Sequence, residues 1–148
     1  MSKEIEIAYC GLYCGQCIIR NGKISEKSEQ LLEIFKTDDF KKLVDGLPKF
    51  FPEIHIESNE YETCIKFLQT MKFLDCNEVC KKTGGTSKCK IKNCCIEKKL
   101  DGCWLCENFE NCEILDSLTP IHKRANIKNI KTIRENGISS FLKGKKYW

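Results

Sequence analysis

A chain of 148 residues, 41% apolar and 31% charged, can bury a hydrophobic core without covalent staples, and large apolar residues spread along it exclude disorder. Its formal net charge of +4 is unevenly placed. From Lys123 to Trp148, eight basic residues stand against Glu135 alone, giving +7, so the first 122 residues carry −3. The longest uncharged stretch, Ile7 to Ile19, is too short to span a bilayer.

In chain order, Met1 to Ile7 is interrupted by acidic residues and lacks an apolar h-region, so no secretory signal is expected and the chain is placed in the cytoplasm. Residues 9–22 form a cysteine segment with glycines between the thiols. From Ser28 the pattern is helical, with Leu31, Leu32, Ile34 and Phe35 on one face. A restart at Asp38-Asp39 carries Phe40, Leu43 and Val44, and Gly46 followed by Pro48 predicts its end. Phe50 to Ile56 reads as a short connection containing His55. Asn59 and Glu62 predict a capping box. Tyr61, Cys64, Ile65, Leu68 and Met71 then make one helical stripe, on which Cys64 reads as a small buried hydrophobe. Residues 76–112 show no strand period and predict loops, short turns and one small hairpin. Thr119-Pro120 predicts the start of a last helix, with Ile127, Ile130 and Ile133 on one side and basic residues on the other. Asn136-Gly137 ends that helix before a short turn, Ile138 to Leu142.

Twelve cysteines dominate the chemistry. Cys10, Cys14 and Cys17 open the chain, and Cys76, Cys80, Cys89, Cys94, Cys95, Cys103, Cys106 and Cys112 crowd the second half. In a reducing compartment such spacing favours metal binding over disulfides. Cys103-Trp104-Leu105-Cys106 is the strongest element, because two intervening residues let both sulfurs reach one ion about 2.3 Å away. With Cys89, Cys94 and Cys112 nearby, three or four of these five thiols can close a tetrahedral site. Cys10, Cys14 and Cys17 need a fourth donor, which Cys76 or Cys80 can supply. Cys95, adjacent to Cys94, reads as non-ligating. Zinc is the expected metal, as one or two ions, and an iron–sulfur cluster is the alternative. The C-x3-C-x2-C spacing also serves radical S-adenosylmethionine enzymes, but no barrel of theirs fits a chain this short. His55 and His122 read as surface or core-edge residues, and no catalytic residue is assigned.

Tyr9 to Cys17 supplies a Y-C-G-L-Y-C-G-x-C segment, followed by Cys76 and Cys80, Gly84-Gly85, Cys89-Lys90-Ile91-Lys92-Asn93-Cys94, Lys99 to Cys106 with its C-W-x-C knuckle, and Phe109 to Cys112. In these motifs the chain resembles a family of small cysteine-rich bacterial and archaeal proteins filed under a domain of unknown function. The likeness covers nearly the whole chain, including the run from Asn126 to Leu142. It implies metal binding, with zinc as the metal, and carries no assigned activity. This chain spaces its middle pair by three residues and adds Cys64 and Cys95.

The expected fold is mainly α: a small single helical domain, residues 1–148, whose helices pack on a loop-rich, metal-stapled cysteine segment. The expected function is a structural zinc-binding module with an unknown protein partner. The alternatives are an iron–sulfur electron-transfer or redox-sensing protein, and a nucleic-acid binder using the basic tail from Lys123 to Lys146. No membrane association is expected.

Overall fold

The structure, a computed structural model, describes residues 6–54, 56–82 and 84–148. His55 and the opening residues before Glu6 lie outside the described residues. The fold is α-helical, as the sequence patterns predict, and among the described residues the only extended pairing is an isolated antiparallel bridge between Ile7 and Tyr13. No helix among them is long and apolar enough to cross a membrane. The chain divides into two compact units. One is Ile18–Asp75; the other joins the described part of Met1–Cys17 to Cys76–Trp148.

The unit Ile18–Asp75 contains α1 (Ile18–Gly22), α2 (Ile24–Phe35), α3 (Asp38–Phe50) and α4 (Ser58–Met71). Helix α2 starts four residues before Ser28, so the apolar face marks the helix body rather than its origin. Thr37 separates α2 from α3: its Oγ1 accepts the Phe40 N–H at 3.2 Å and donates to the Ile34 carbonyl at 2.8 Å. Asp38 and Asp39 then lie in the first turn of α3, where the helix dipole favours negative charge. Gly46 and Pro48 do not end α3, which runs to Phe50. Pro48 lies inside the helix and removes the N–H that would otherwise bond the Val44 carbonyl, yet α3 continues through it for two more residues. The capping box is Glu57 with Glu60, not Asn59 with Glu62; the Glu57 N–H donates to Glu60 Oε2 at 2.9 Å. Helix α2 packs on α4 with Leu32 and Leu68 buried. The Tyr61 hydroxyl donates to the Phe35 carbonyl, and Ser25 Oγ donates to the Lys72 carbonyl at 2.7 Å. Cys64 is exposed, which corrects its reading as a buried hydrophobe: the buried line of α4 runs through Tyr61, Ile65 and Leu68 and leaves Cys64 beside it.

The second unit contains α5 (Lys90–Glu97), α6 (Glu113–Asp116), α7 (Thr119–His122) and α8 (Ala125–Lys143), with 3-10 turns at Cys14–Gln16, Cys103–Leu105 and Phe109–Asn111. Its core gathers Ile7, Ile91, Cys95, Cys103, Trp104, Phe109, Leu115, Ile127, Ile130, Ile133 and Phe141. The predicted isoleucine stripe of α8 is therefore buried. The helix opened by Thr119-Pro120 is short: Lys123 and Arg124 adopt left-handed backbone (φ 46° and 62°), and α8 begins afresh at Ala125. Gly137 (φ 78°) breaks α8 where the sequence places the break. Helix α5 takes the place of the expected loops between Cys89 and Cys103. Its Ile91, Cys94 and Cys95 recur at i, i+3 and i+4, a period hidden when the cysteines are counted only as ligands.

Candidate metal centre

The first cysteine loop is a turn pressed against α8. The Ala8 N–H donates to the Leu12 carbonyl at 2.8 Å, and the Gly11 N–H to the Ala8 carbonyl at 2.9 Å. Gly11 has φ +83°, and a Cβ there would lie 2.7 Å from Ile130 Cγ1. Only glycine combines that backbone with that approach. The chain then folds into the 3-10 turn at Cys14, closed by Cys17 N–H to the Cys14 carbonyl at 3.2 Å. The knuckle at Cys103 repeats the arrangement, with Cys106 N–H to the Cys103 carbonyl at 3.0 Å. Both C-x2-C segments thus take the same local form. Gly102 lets the knuckle close, because a Cβ there would sit 2.3 Å from the Trp104 ring.

Several contacts bind these loops together. The Cys103 N–H donates to the Tyr9 carbonyl at 2.8 Å, and the Tyr9 N–H to Cys80 Sγ at 3.4 Å. The Lys81 ammonium stands 4.5 Å from the centre of the Trp104 ring and 5.7 Å from that of Tyr9, and pairs with Asp101 at 2.9 Å. Arg134 of α8 donates to the Cys106 carbonyl at 2.9 Å and lies over Phe109.

No disulfide joins any of the twelve cysteines, all of which lie among the described residues. Five of them, Cys94, Cys95, Cys103, Cys106 and Cys112, line one cavity of about 70 Å³, closed otherwise by Ile91, Leu100, Phe109, Ile114 and Leu115, with Lys98 also on its wall. Sites for small organic ligands are several times larger, about 300–1,000 Å³. Within the cavity, Cys95 and Cys103 are the buried cysteines, and their sulfurs are 3.5 Å apart. Sulfurs held about 2.3 Å from a tetrahedral ion stand roughly 3.8 Å from one another, so this pair is near an edge of such a cage. Sequence reasoning left Cys95 out of the ligand set; the structure places it on the buried side of α5, in the lining of this cavity. Cys89, grouped with the knuckle by sequence, does not line this cavity.

Burial and hydrogen bonding set the protonation of these groups. The Cys95 and Cys103 sulfurs share a hydrogen bond, which lowers the Cys95 pKa and, with burial, raises that of Cys103. Burial pushes Cys10 up to about 12, against a hydrogen bond from the Leu12 backbone and with further elevation from Cys80, Cys14 and Cys89. Cys80 is raised by burial, partly relieved by the Tyr9 N–H. Burial thus favours the protonated thiol at Cys10, Cys80 and Cys103.

Among the described residues, no three His, Cys, Asp or Glu side chains stand at the spacing that encloses an ion. The fit to a metal therefore rests on donor chemistry, enclosure and the near-edge separation of Cys95 and Cys103. Cys76 donates to the Glu78 carbonyl at 3.5 Å, and Cys14 and Cys17 lie at either end of the first 3-10 turn, half-buried. His122 ends α7 edge-on to Trp148, with its pKa lowered by burial.

The basic tail is largely engaged within its own unit. Arg124 pairs with Asp116 at 3.2 Å, Lys131 with Glu110 at 3.1 Å, and Lys146 donates to the Leu142 and Gly144 carbonyls. Lys128 and Lys145 both approach the Tyr147 ring. Buried Asn129, unmarked by the sequence reading, grips the Tyr147 backbone from both sides, Nδ2 to its carbonyl at 3.0 Å and Oδ1 from its N–H at 2.9 Å.

A helical unit built on a cysteine framework is what the fold and site define. Residues 6–117 match the profile of the family described as "Protein of unknown function (DUF3795)", and the chain belongs to that family. Comparison with curated proteins and with solved structures gives no match.

Proposed function

We propose that the chain is a thiolate metal-binding module in which a zinc ion occupies the cavity beneath the Cys103–Cys106 knuckle, and that the ion's role is structural, fixing a surface for a protein partner. The observation that supports this reading is that five cysteines from three stretches of chain line one small cavity of about 70 Å³. Thiolate is the softest donor a protein offers and selects zinc or iron–sulfur centres over hard cations. When bound, Zn2+ would cross-link three stretches of chain and supply on the order of 10–16 kcal/mol of apparent binding free energy to folding. The chain's own residues prepare the site. Helix α5 carries Cys94 and Cys95, the knuckle carries Cys103 and Cys106, and Arg134 holds the Cys106 carbonyl from the far side. The nucleic-acid reading is not carried further, since most of the basic tail is committed to contacts inside the molecule.

Purification without oxygen, followed by zinc, iron and sulfide analysis, tests the proposal. Zinc without sulfide is expected, and Cys103→Ser with Cys106→Ser lowers both metal content and thermal midpoint. A fully reduced, metal-free protein whose tryptophan fluorescence still reports a cooperative melt of the cysteine-rich unit would overturn it. Iron with stoichiometric sulfide reassigns the site to the iron–sulfur alternative.

A further inference from the structure

We propose that Cys95 and Cys103 are a redox-sensitive pair: hydrogen peroxide entering the knuckle cavity joins them as a disulfide and withdraws two sulfurs from the metal. The loss of metal rests on the zinc reading above; the disulfide stands without it.

Two features of the structure single out this pair. The first is contact. The two sulfurs are 3.5 Å apart, although Cys103 lies eight residues beyond Cys95. A disulfide bond is about 2.05 Å long, so each sulfur has to move by less than roughly 1 Å. Both backbones are pinned: the Leu100 N–H donates to the Cys95 carbonyl at 2.8 Å, and the Cys103 N–H to the Tyr9 carbonyl at 2.8 Å. Closure therefore falls to rotation of the two side chains. Cys94 also lines the cavity, but it projects about 100° away around α5.

The second feature is access. Both cysteines line the cavity of about 70 Å³. One water needs about 10–15 Å³ of such space, so hydrogen peroxide, with its two oxygens, fits. Oxidised glutathione does not, since organic ligands of that kind need about 300 Å³ or more. Lys98 on the cavity wall is exposed, and Cys94, Cys106 and Cys112 are half-buried, so the wall reaches solvent. The pair is thus open to a small polar oxidant and closed to bulky ones.

The chemistry balances with peroxide as oxidant. One thiol gives up its proton and its sulfur attacks a peroxide oxygen. The O–O bond breaks, and the departing hydroxide takes the proton as water. The second sulfur attacks the sulfenic acid so formed: the S–S bond forms, the S–O bond breaks, and a second hydroxide leaves with the second thiol's proton. Two thiols lose two electrons, and one peroxide becomes two waters. Where the sulfurs are metal-bound thiolates there is no proton to take, and the two hydroxides are released together with the metal ion.

The full-length protein, purified reduced with its metal, is treated with hydrogen peroxide. It is followed by intact mass, zinc release to a chromogenic chelator, and tandem mass spectrometry of tryptic peptides. Lys98 and Lys99 lie between the two cysteines, so trypsin separates them and the cross-linked peptide reports the bond in the wild type. A Cys95–Cys103 bond is expected, with one zinc released per bond and reversal by dithiothreitol. Oxidised glutathione at the same concentration is expected to leave the pair reduced. Cys64→Ser, which removes the exposed thiol of the other unit, is expected to form the bond at the wild-type rate. Four results overturn the proposal: Cys95 and Cys103 still open to alkylation after peroxide and unfolding, a bond mapped to Cys94, Cys106 or Cys112 instead, equal oxidation by oxidised glutathione, or a Cys95–Cys103 bond that leaves the zinc in place. The same bond formed in protein purified without any metal supports the redox pair and overturns the zinc reading.

Discussion

Gly11 shows how much one position between two ligand candidates can control. Its positive φ is accessible to other residues at a cost of about 1–2 kcal/mol, and its missing side chain admits the Ile130 side chain of α8. Forcing a methyl group into that contact adds about 1–3 kcal/mol. Gly11→Ala is therefore expected to lower the urea midpoint clearly, measured by tryptophan fluorescence. An unchanged midpoint would show that the loop can leave α8 without penalty. The glycine was visible in the sequence as a turn residue between thiols, but its partner on α8 was not. Cys95 teaches the complementary lesson. Adjacency to Cys94 argued against it as a ligand, yet successive helix positions turn by about 100°, and that turn points it to the buried Cys103.

At the scale of the element, α8 and α5 carry the second unit. The stripe of Ile127, Ile130 and Ile133 was legible from its period, and the structure buries all three. Ile130 is fully buried, so Ile130→Ala is expected to cost about 2–5 kcal/mol. Ile96→Ala, on the exposed side of α5, should stay within about 0.5 kcal/mol of the wild type. Chemical denaturation of the two variants side by side checks both, and equal losses would contradict the assigned faces. The start of α8 was misread because Thr119-Pro120 is a sound initiation signal. What local chemistry did not announce was the pair of left-handed residues, Lys123 and Arg124, that ends the first attempt. The Arg124 side chain then reaches back to Asp116 and the Glu110 carbonyl, contacts that hold the break in place.

At the scale of the whole molecule, eleven of the twelve cysteines belong to one compact unit, and the Ile18–Asp75 unit contains only Cys64. Metal removal should therefore act on one unit. Trp104 and Trp148 both lie in the cysteine-rich unit, so their fluorescence reports it alone. Chelation is expected to move the fluorescence-detected melt to much lower temperature while the helical circular dichroism of α2 to α4 survives to a separate transition. One common transition, unmoved by chelator, would contradict a metal-dependent unit.

The sequence by itself determined the helical class, the two bunches of thiols, the knuckle and the apolar stripe of the last helix. These are properties of spacing along the chain, and spacing is enough when the interacting groups lie within a turn or two of one another. Only the tertiary structure decided which thiols are neighbours, that Cys89 caps α5 while Cys94 and Cys95 lie within it, and that Arg134 and Lys81 brace the loops. Those facts depend on which distant segments meet. Burial around α8 chooses that meeting, and the cysteine spacing is compatible with several partitions of ligands among ions.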